Sequence, residues 1–132
     1  MKEIYLTEIT EIGPDVPELL AEAGTLITFE AGAPPELAEL SVLHQPEHSR
    51  EEPPGPGDVL YIGSKGFGIT AIGSKCWENV LRLGHASFKF NDAEQAELPG
   101  EICLQSAGAE GVVELLKPGV RLSIESAQSI QE

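Results

Sequence analysis

Short apolar runs separated by glycine and proline recur along the whole chain. They span Ile4 to Ile12, Leu26 to Phe29, Leu40 to Leu43, Val59 to Ile62, Phe67 to Ile72, Ala86 to Phe90, Ile102 to Leu104, Val112 to Leu116 and Val120 to Ile124. Each has the length of a strand, and several alternate apolar with polar positions as a half-buried strand does. Turn residues lie between them: Gly13-Pro14, Gly24, Gly32, Pro53 to Gly57, Gly63, Gly73, Pro99-Gly100 and Lys117-Pro118-Gly119. Three segments read as short helices. Trp77 to Leu83 ends at Gly84, a good helix stop, and Pro17 to Ala23 and Pro34 to Leu40 open with proline and carry acids near their starts. The pattern predicts an all-β fold, a closed or partly closed antiparallel-type β-barrel with a few short helices, in one domain over residues 1–132. It shows no linker, and no internal repeat is read from it.

Composition narrows the function classes. Eight basic residues against 22 acidic ones give a formal charge of -14, which repels nucleic acid backbones and anionic lipid surfaces. The imbalance is concentrated in residues 1–49, where ten acids face one base, Lys2; a basic protein partner would be steered there. The first residues are charged and alternating, with no apolar signal core and no run of membrane-spanning length, which predicts a cytoplasmic protein. Cys76 and Cys103 lack metal-type spacing and read as core thiols. The stretch from Gln45 to Asp58 is rich in acids and prolines without an aliphatic residue, and reads as a mobile surface loop.

Imidazole chemistry near neutral pH must use His44, His48 or His85, the three histidines present. His44 follows Leu40-Ser41-Val42-Leu43, at a predicted strand end that opens into the acidic loop, a place where a side chain is held yet reachable. Position alone favours an inert histidine there over a working one. His48 lies inside the predicted loop and reads as solvated. His85 follows the helix stop Gly84 and suits either a structural or a site role. His44, Glu47 and His48 could be metal ligands, but they lack a further ligand and a rigid frame, so no metal and no cofactor are expected. Gly63-Ser64-Lys65-Gly66-Phe67-Gly68 reads as a hairpin turn, since no helix follows to aim amides at a phosphate.

The chain resembles the glucitol/sorbitol-specific enzyme IIA component of the bacterial phosphoenolpyruvate-dependent sugar phosphotransferase system (PTS). The resemblance is carried by Leu26-Ile27-Thr28-Phe29, Gly32-Ala33-Pro34, Leu43-His44, Ile69 to Ser74, Asn79 to His85, Phe88-Lys89-Phe90, Ala93 to Gly100 and Lys117 to Val120. It implies a cytoplasmic phosphocarrier that takes a phosphoryl group from the phosphohistidine of HPr. The group would pass to a cysteine of the IIB component of a sorbitol transporter. By that resemblance His44 is the phosphohistidine, modified on the nitrogen farther from the backbone, and His85 is a candidate orienting or phosphoryl-binding partner. Arg50, Lys65, Arg82 or backbone amides could meet the phosphoryl oxygens if the partner does not. The alternative is a small β-barrel module that binds a sugar or a metal without a covalent step.

Overall fold

Burial alternates along most of the strands, and the buried faces meet inside a closed barrel. A computed structural model describes residues 2–126. In chain order the elements are β1 (Lys2–Ile12), α1 (Val16–Ala23), β2 (Thr25–Glu30), α2 (Pro35–Ala38), β3 (Ser41–Ser49) and β4 (Val59–Ile62). There follow β5 (Lys65–Ile72), α3 (Cys76–Leu83), β6 (Ala86–Phe90), β7 (Glu101–Leu104), α4 (Ala109–Leu115) and β8 (Arg121–Ser126). Round the barrel the order is β1-β3-β2-β6-β7-β5-β4-β8, with β8 returning to β1. The predicted closed barrel with short helices is therefore present, but its sheet is mixed: β2 with β3 and β6 with β7 run parallel, and every other neighbour is antiparallel. Ile4, Ile9, Leu60, Ile62, Ile102, Leu104, Leu122 and Ile124 are almost completely buried in the core. Each contributes about 1.5–3 kcal/mol of apolar burial, as expected of an eight-stranded barrel filled by side chains.

Two segments differ from the sequence reading. Val112 to Leu115 belongs to helix α4, with Leu116 at its C-cap, and not to a strand: Ala109, Val112, Val113 and Leu116 recur at helical spacing, which outweighs the β-branched pair. The expected loop after His44 begins later, because β3 continues to Ser49 against the long strand β1. The pairing places Leu6 opposite His48 and Thr7 opposite Pro46, with an irregular register between them. Proline, which lacks an N–H, is tolerated beside such a bulge.

The barrel is built twice from one pattern, which corrects the reading that the chain has no repeat. Gly13 and Gly73, Gly24 and Gly84, and His44 and Leu104 are each sixty positions apart, and the pairing obeys the same offset. Ile9 faces His44 and Ile12 faces Val42; likewise Ile69 faces Leu104 and Ile72 faces Ile102. The same register shift follows Ile9 and Ile69. In the parallel pairs Glu30 faces His44 and Phe90 faces Leu104. The amides of Gly13 and Gly73 donate to the carbonyls of Ser41 and Glu101. One half is β1-α1-β2-α2-β3; the other is β5-α3-β6-β7, with turns in place of α2. The halves join directly through β2 with β6, and on the other side through β4 and β8, which pair with each other and with β5 and β1 respectively.

Each half has one point of close backbone crossing. A Cβ added at Gly13 would lie 2.5 Å from the Glu39 carbonyl oxygen, and one at Gly73 would lie 2.6 Å from that of Leu98. Neither neighbour is a flexible side chain. Gly13→Ala and Gly73→Ala should each lower unfolding free energy by about 2 kcal/mol. Gly111→Ala, with open space around it inside α4, should raise it by about 0.5–1 kcal/mol. Urea unfolding of the three variants checks these signs.

Candidate functional site

The extension of β3 places His44 inside a strand instead of at its end. β1 pairs on one side of it and β2 on the other, with Ile9 and Glu30 as its register partners. Its ring is fully buried. Nδ1 lies 2.6 Å from the hydroxyl of Thr7, which is itself fully buried. Nε2 lies 2.7 Å from the carbonyl oxygen of Gly84. Thr28 donates its hydroxyl to the same carbonyl at 3.2 Å. The Tyr5 ring meets His44 edge-on, with centroids 6.4 Å apart.

These partners fix the state of the ring. A carbonyl only accepts, so Nε2 carries the proton and donates it. In the neutral ring Nδ1 is then bare and accepts from the Thr7 hydroxyl. Burial lowers the pKa of His44 from its ordinary value, while the bond to Gly84 and the charge of Glu30 pull in the opposite direction. The imidazole is thus neutral at physiological pH, the form in which a ring nitrogen can act as nucleophile. Burial likewise raises the Tyr5 phenol, opposed by a hydrogen bond with Thr7, so this wall of the site is uncharged.

Gly84 has to be glycine for two reasons. It caps α3 in the left-handed conformation, at φ 65°. A Cβ there would also lie 2.5 Å from Glu30 Cγ and 3.1 Å from His44 Nε2. His85 begins on the other side of that glycine. Its Nδ1–H donates to the Thr28 carbonyl at 3.2 Å, and its ring stacks on Phe29 with centroids 4.2 Å apart. His44 and His85 are therefore linked through Gly84 and Thr28, while each ring hydrogen-bonds to other groups.

The remaining candidates lie elsewhere. His48 is exposed on β3 opposite Leu6, and Glu47 pairs with Arg121 at 3.3 Å. Among the described residues no group of three or more His, Cys, Asp and Glu side chains is placed to hold a metal ion. Arg50 bonds to the carbonyls of Glu52 and Pro53, Arg82 pairs with Glu78, and Lys65 lies in the β4–β5 hairpin that the glycine-rich stretch was read to form. Both cysteines are buried free thiols, as the sequence suggests. The sequence reading did not identify Thr7 and Thr28, because a lone threonine in a strand carries no chemical signature.

The description "PTS system glucitol/sorbitol-specific IIA component" belongs to a family model that matches residues 4–123 of this chain. Glucitol/sorbitol-specific EIIA components of the PTS from Shigella flexneri and from Escherichia coli (strain K12) are each 34% identical to it over 97% of this chain and 99% of theirs. The chain belongs to the PTS glucitol/sorbitol-specific IIA component family. The crystal structure of a PTS system IIA component from Enterococcus faecalis V583 has the same fold, with a TM-score of 0.72 at 22% identity, covering 91% of this chain and 98% of that one. No helix among the described residues of this IIA chain is long and apolar enough to cross a membrane.

The two halves of the IIA barrel fill the equivalent place with opposite chemistry. Thr7, Thr28, Glu30 and His44 correspond by the sixty-residue offset to Phe67, Phe88, Phe90 and Leu104. The second set is entirely buried and apolar, with Phe67 and Phe90 meeting edge-on at 5.2 Å. The fold therefore does not require a polar cluster at this point. A leucine, Leu104, fits the same register in the other half.

Because the folded pKa of His44 is depressed, the unfolded chain takes up a proton first as pH falls, and stability is lost below the ordinary value of 6.5. Unfolding free energy should therefore drop between pH 7 and pH 5 more steeply in the wild type than in His44→Leu, as read by urea titrations at both pH values.

Proposed function

We propose that this IIA chain is a cytoplasmic phosphocarrier that accepts a phosphoryl group from phospho-HPr on His44 Nε2. It then passes the group to a cysteine on the IIB component of a glucitol/sorbitol transporter. The observation that carries this reading is a neutral imidazole, sealed and hydrogen-bonded at both nitrogens, at a position that the other half of the barrel fills with Leu104. A buried polar cluster costs stability unless it is fully paired. Its presence in one half alone fits function better than packing.

The chemistry needs a lone pair on Nε2. The ring proton moves to Nδ1, and the Thr7 hydroxyl, which can donate or accept, turns from donor to acceptor. Nε2 then attacks the phosphorus of the donor's phosphoimidazolium. The P–N bond of the donor breaks, its ring leaves neutral, and His44 becomes the phosphoimidazolium with Nδ1–H held by Thr7. In the second half-reaction a thiolate of the acceptor attacks phosphorus, the P–Nε2 bond breaks, and His44 returns neutral with its proton on Nδ1. Such transfer asks mainly for positioning and charge stabilisation. The acid-rich first half of the chain suits a donor whose docking face is basic and brings the stabilising charge with it.

Incubation with phosphoenolpyruvate, enzyme I and HPr should add one acid-labile phosphoryl group, detected by intact mass, and His44→Ala should abolish it. Wild-type protein that stays unmodified would refute the phosphocarrier reading. The transfer rate should fall as ionic strength rises, because steering is screened; a rate indifferent to salt would remove the steering argument.

A further inference from the structure

The Gly84 carbonyl oxygen lies 2.7 Å from His44 Nε2. A phosphorus atom bonded to Nε2 would occupy the space between them. Phosphorylation also removes the Nε2 proton, so this buried carbonyl would lose a donor it now has. Gly84 and its twin Gly24 share a conformation, φ 65° and ψ 19° against φ 61° and ψ 27°, each closing its helix. Their carbonyls nevertheless have different partners. That of Gly24 accepts the Phe90 amide of the neighbouring strand at 3.0 Å, while that of Gly84 accepts the side chains of His44 and Thr28.

The residue that corresponds to Phe90 is Glu30. The β2–β6 register, with Thr25 opposite Lys89 and Thr28 opposite Ala86, continues to Gly24 opposite Phe90 at one end and to Gly84 opposite Glu30 at the other. The Glu30 nitrogen is close by, 2.9 Å from where a Cβ on Gly84 would lie.

We infer that the Gly84 carbonyl is a gate on His44 Nε2, closed here, that opens by moving onto the Glu30 amide in the way its twin is bonded to Phe90. Gly84 is thus a positioning residue for phosphoryl transfer, an assignment that rests on the phosphocarrier reading. The Glu30 N–H then replaces the donor lost at Nε2, beside the Thr28 hydroxyl that already bonds to this carbonyl. The opening is assigned to Nε2 because there a buried carbonyl faces the ring with a second N–H donor close by.

The test is the Glu30 backbone amide, followed by NMR and hydrogen exchange on the full chain in three forms: wild type, wild type phosphorylated through enzyme I and HPr, and unphosphorylated His44→Leu. The leucine variant installs the twin's residue and removes the Nε2 donor, so it opens the gate without phosphorylation. In both altered forms the Glu30 amide proton should shift downfield and exchange about tenfold more slowly than in the wild type. An unchanged Glu30 amide in a properly phosphorylated protein and in the folded leucine variant would overturn the gate while leaving the phosphocarrier reading intact. Failure of phosphorylation would overturn that reading, and the leucine variant would still decide whether the carbonyl moves. Should the leucine variant not fold, the phosphorylated wild type decides alone.

Discussion

The barrel depends on two places where backbone passes over backbone with no room for a side chain. At Gly13 and again at Gly73 the chain leaves the first strand of its half, turns into a helix, and lies directly on the segment that leads into the third strand. That crossing lets the second strand return parallel to the third, with the first antiparallel on the third's other side. Parallel neighbours normally need a long crossover. Here a short link suffices, because the glycine lets the preceding turn lie tight against it.

Duplication separates what the fold demands from what chemistry demands. Both halves keep the glycine crossing, the helix cap with positive φ and the register shift after Ile9 or Ile69. Only one half places hydroxyls and an imidazole at the point where the second and third strands meet the helix cap. The other closes the same point with Phe67, Phe88, Phe90 and Leu104. The half with His44 is therefore a polar substitution inside a frame whose apolar version is present in the same molecule. A buried imidazole is tolerated there because each nitrogen has a partner and desolvation keeps the ring neutral.

Most strands and both long helices were legible from apolar run length and from Gly24 and Gly84 as stops, because local periodicity encodes them directly. Val112 misled, since two adjacent valines read as a strand when only three or four positions are weighed. The extent of β3 was hidden by Pro46 and its acidic neighbours, which are poor strand formers held in place by the length of β1 and not by their own preference. The repeat was written in the sequence as Ile9-Thr10-Glu11-Ile12-Gly13 and Ile69-Thr70-Ala71-Ile72-Gly73, a signal too short to stand out before the pairing gave it meaning. His44 was legible as a candidate, but its burial and its link to Gly84 were not. Both arise from contacts between residues forty positions apart in the chain, as from His44 to Gly84.

The seams between the halves have a consequence for how the molecule assembles. Each half has two strand edges to pair: β2 and β6 pair with each other, while β1 and β5 are covered by β8 and β4, which pair with each other. Neither half can bury its interior or silence its edges alone, and unpaired edges invite aggregation. Closure is consequently a single cooperative event that joins the beginning of the chain to its end, with Tyr5 opposite Ile124. The side that holds the buried imidazole can be no more stable than its apolar twin.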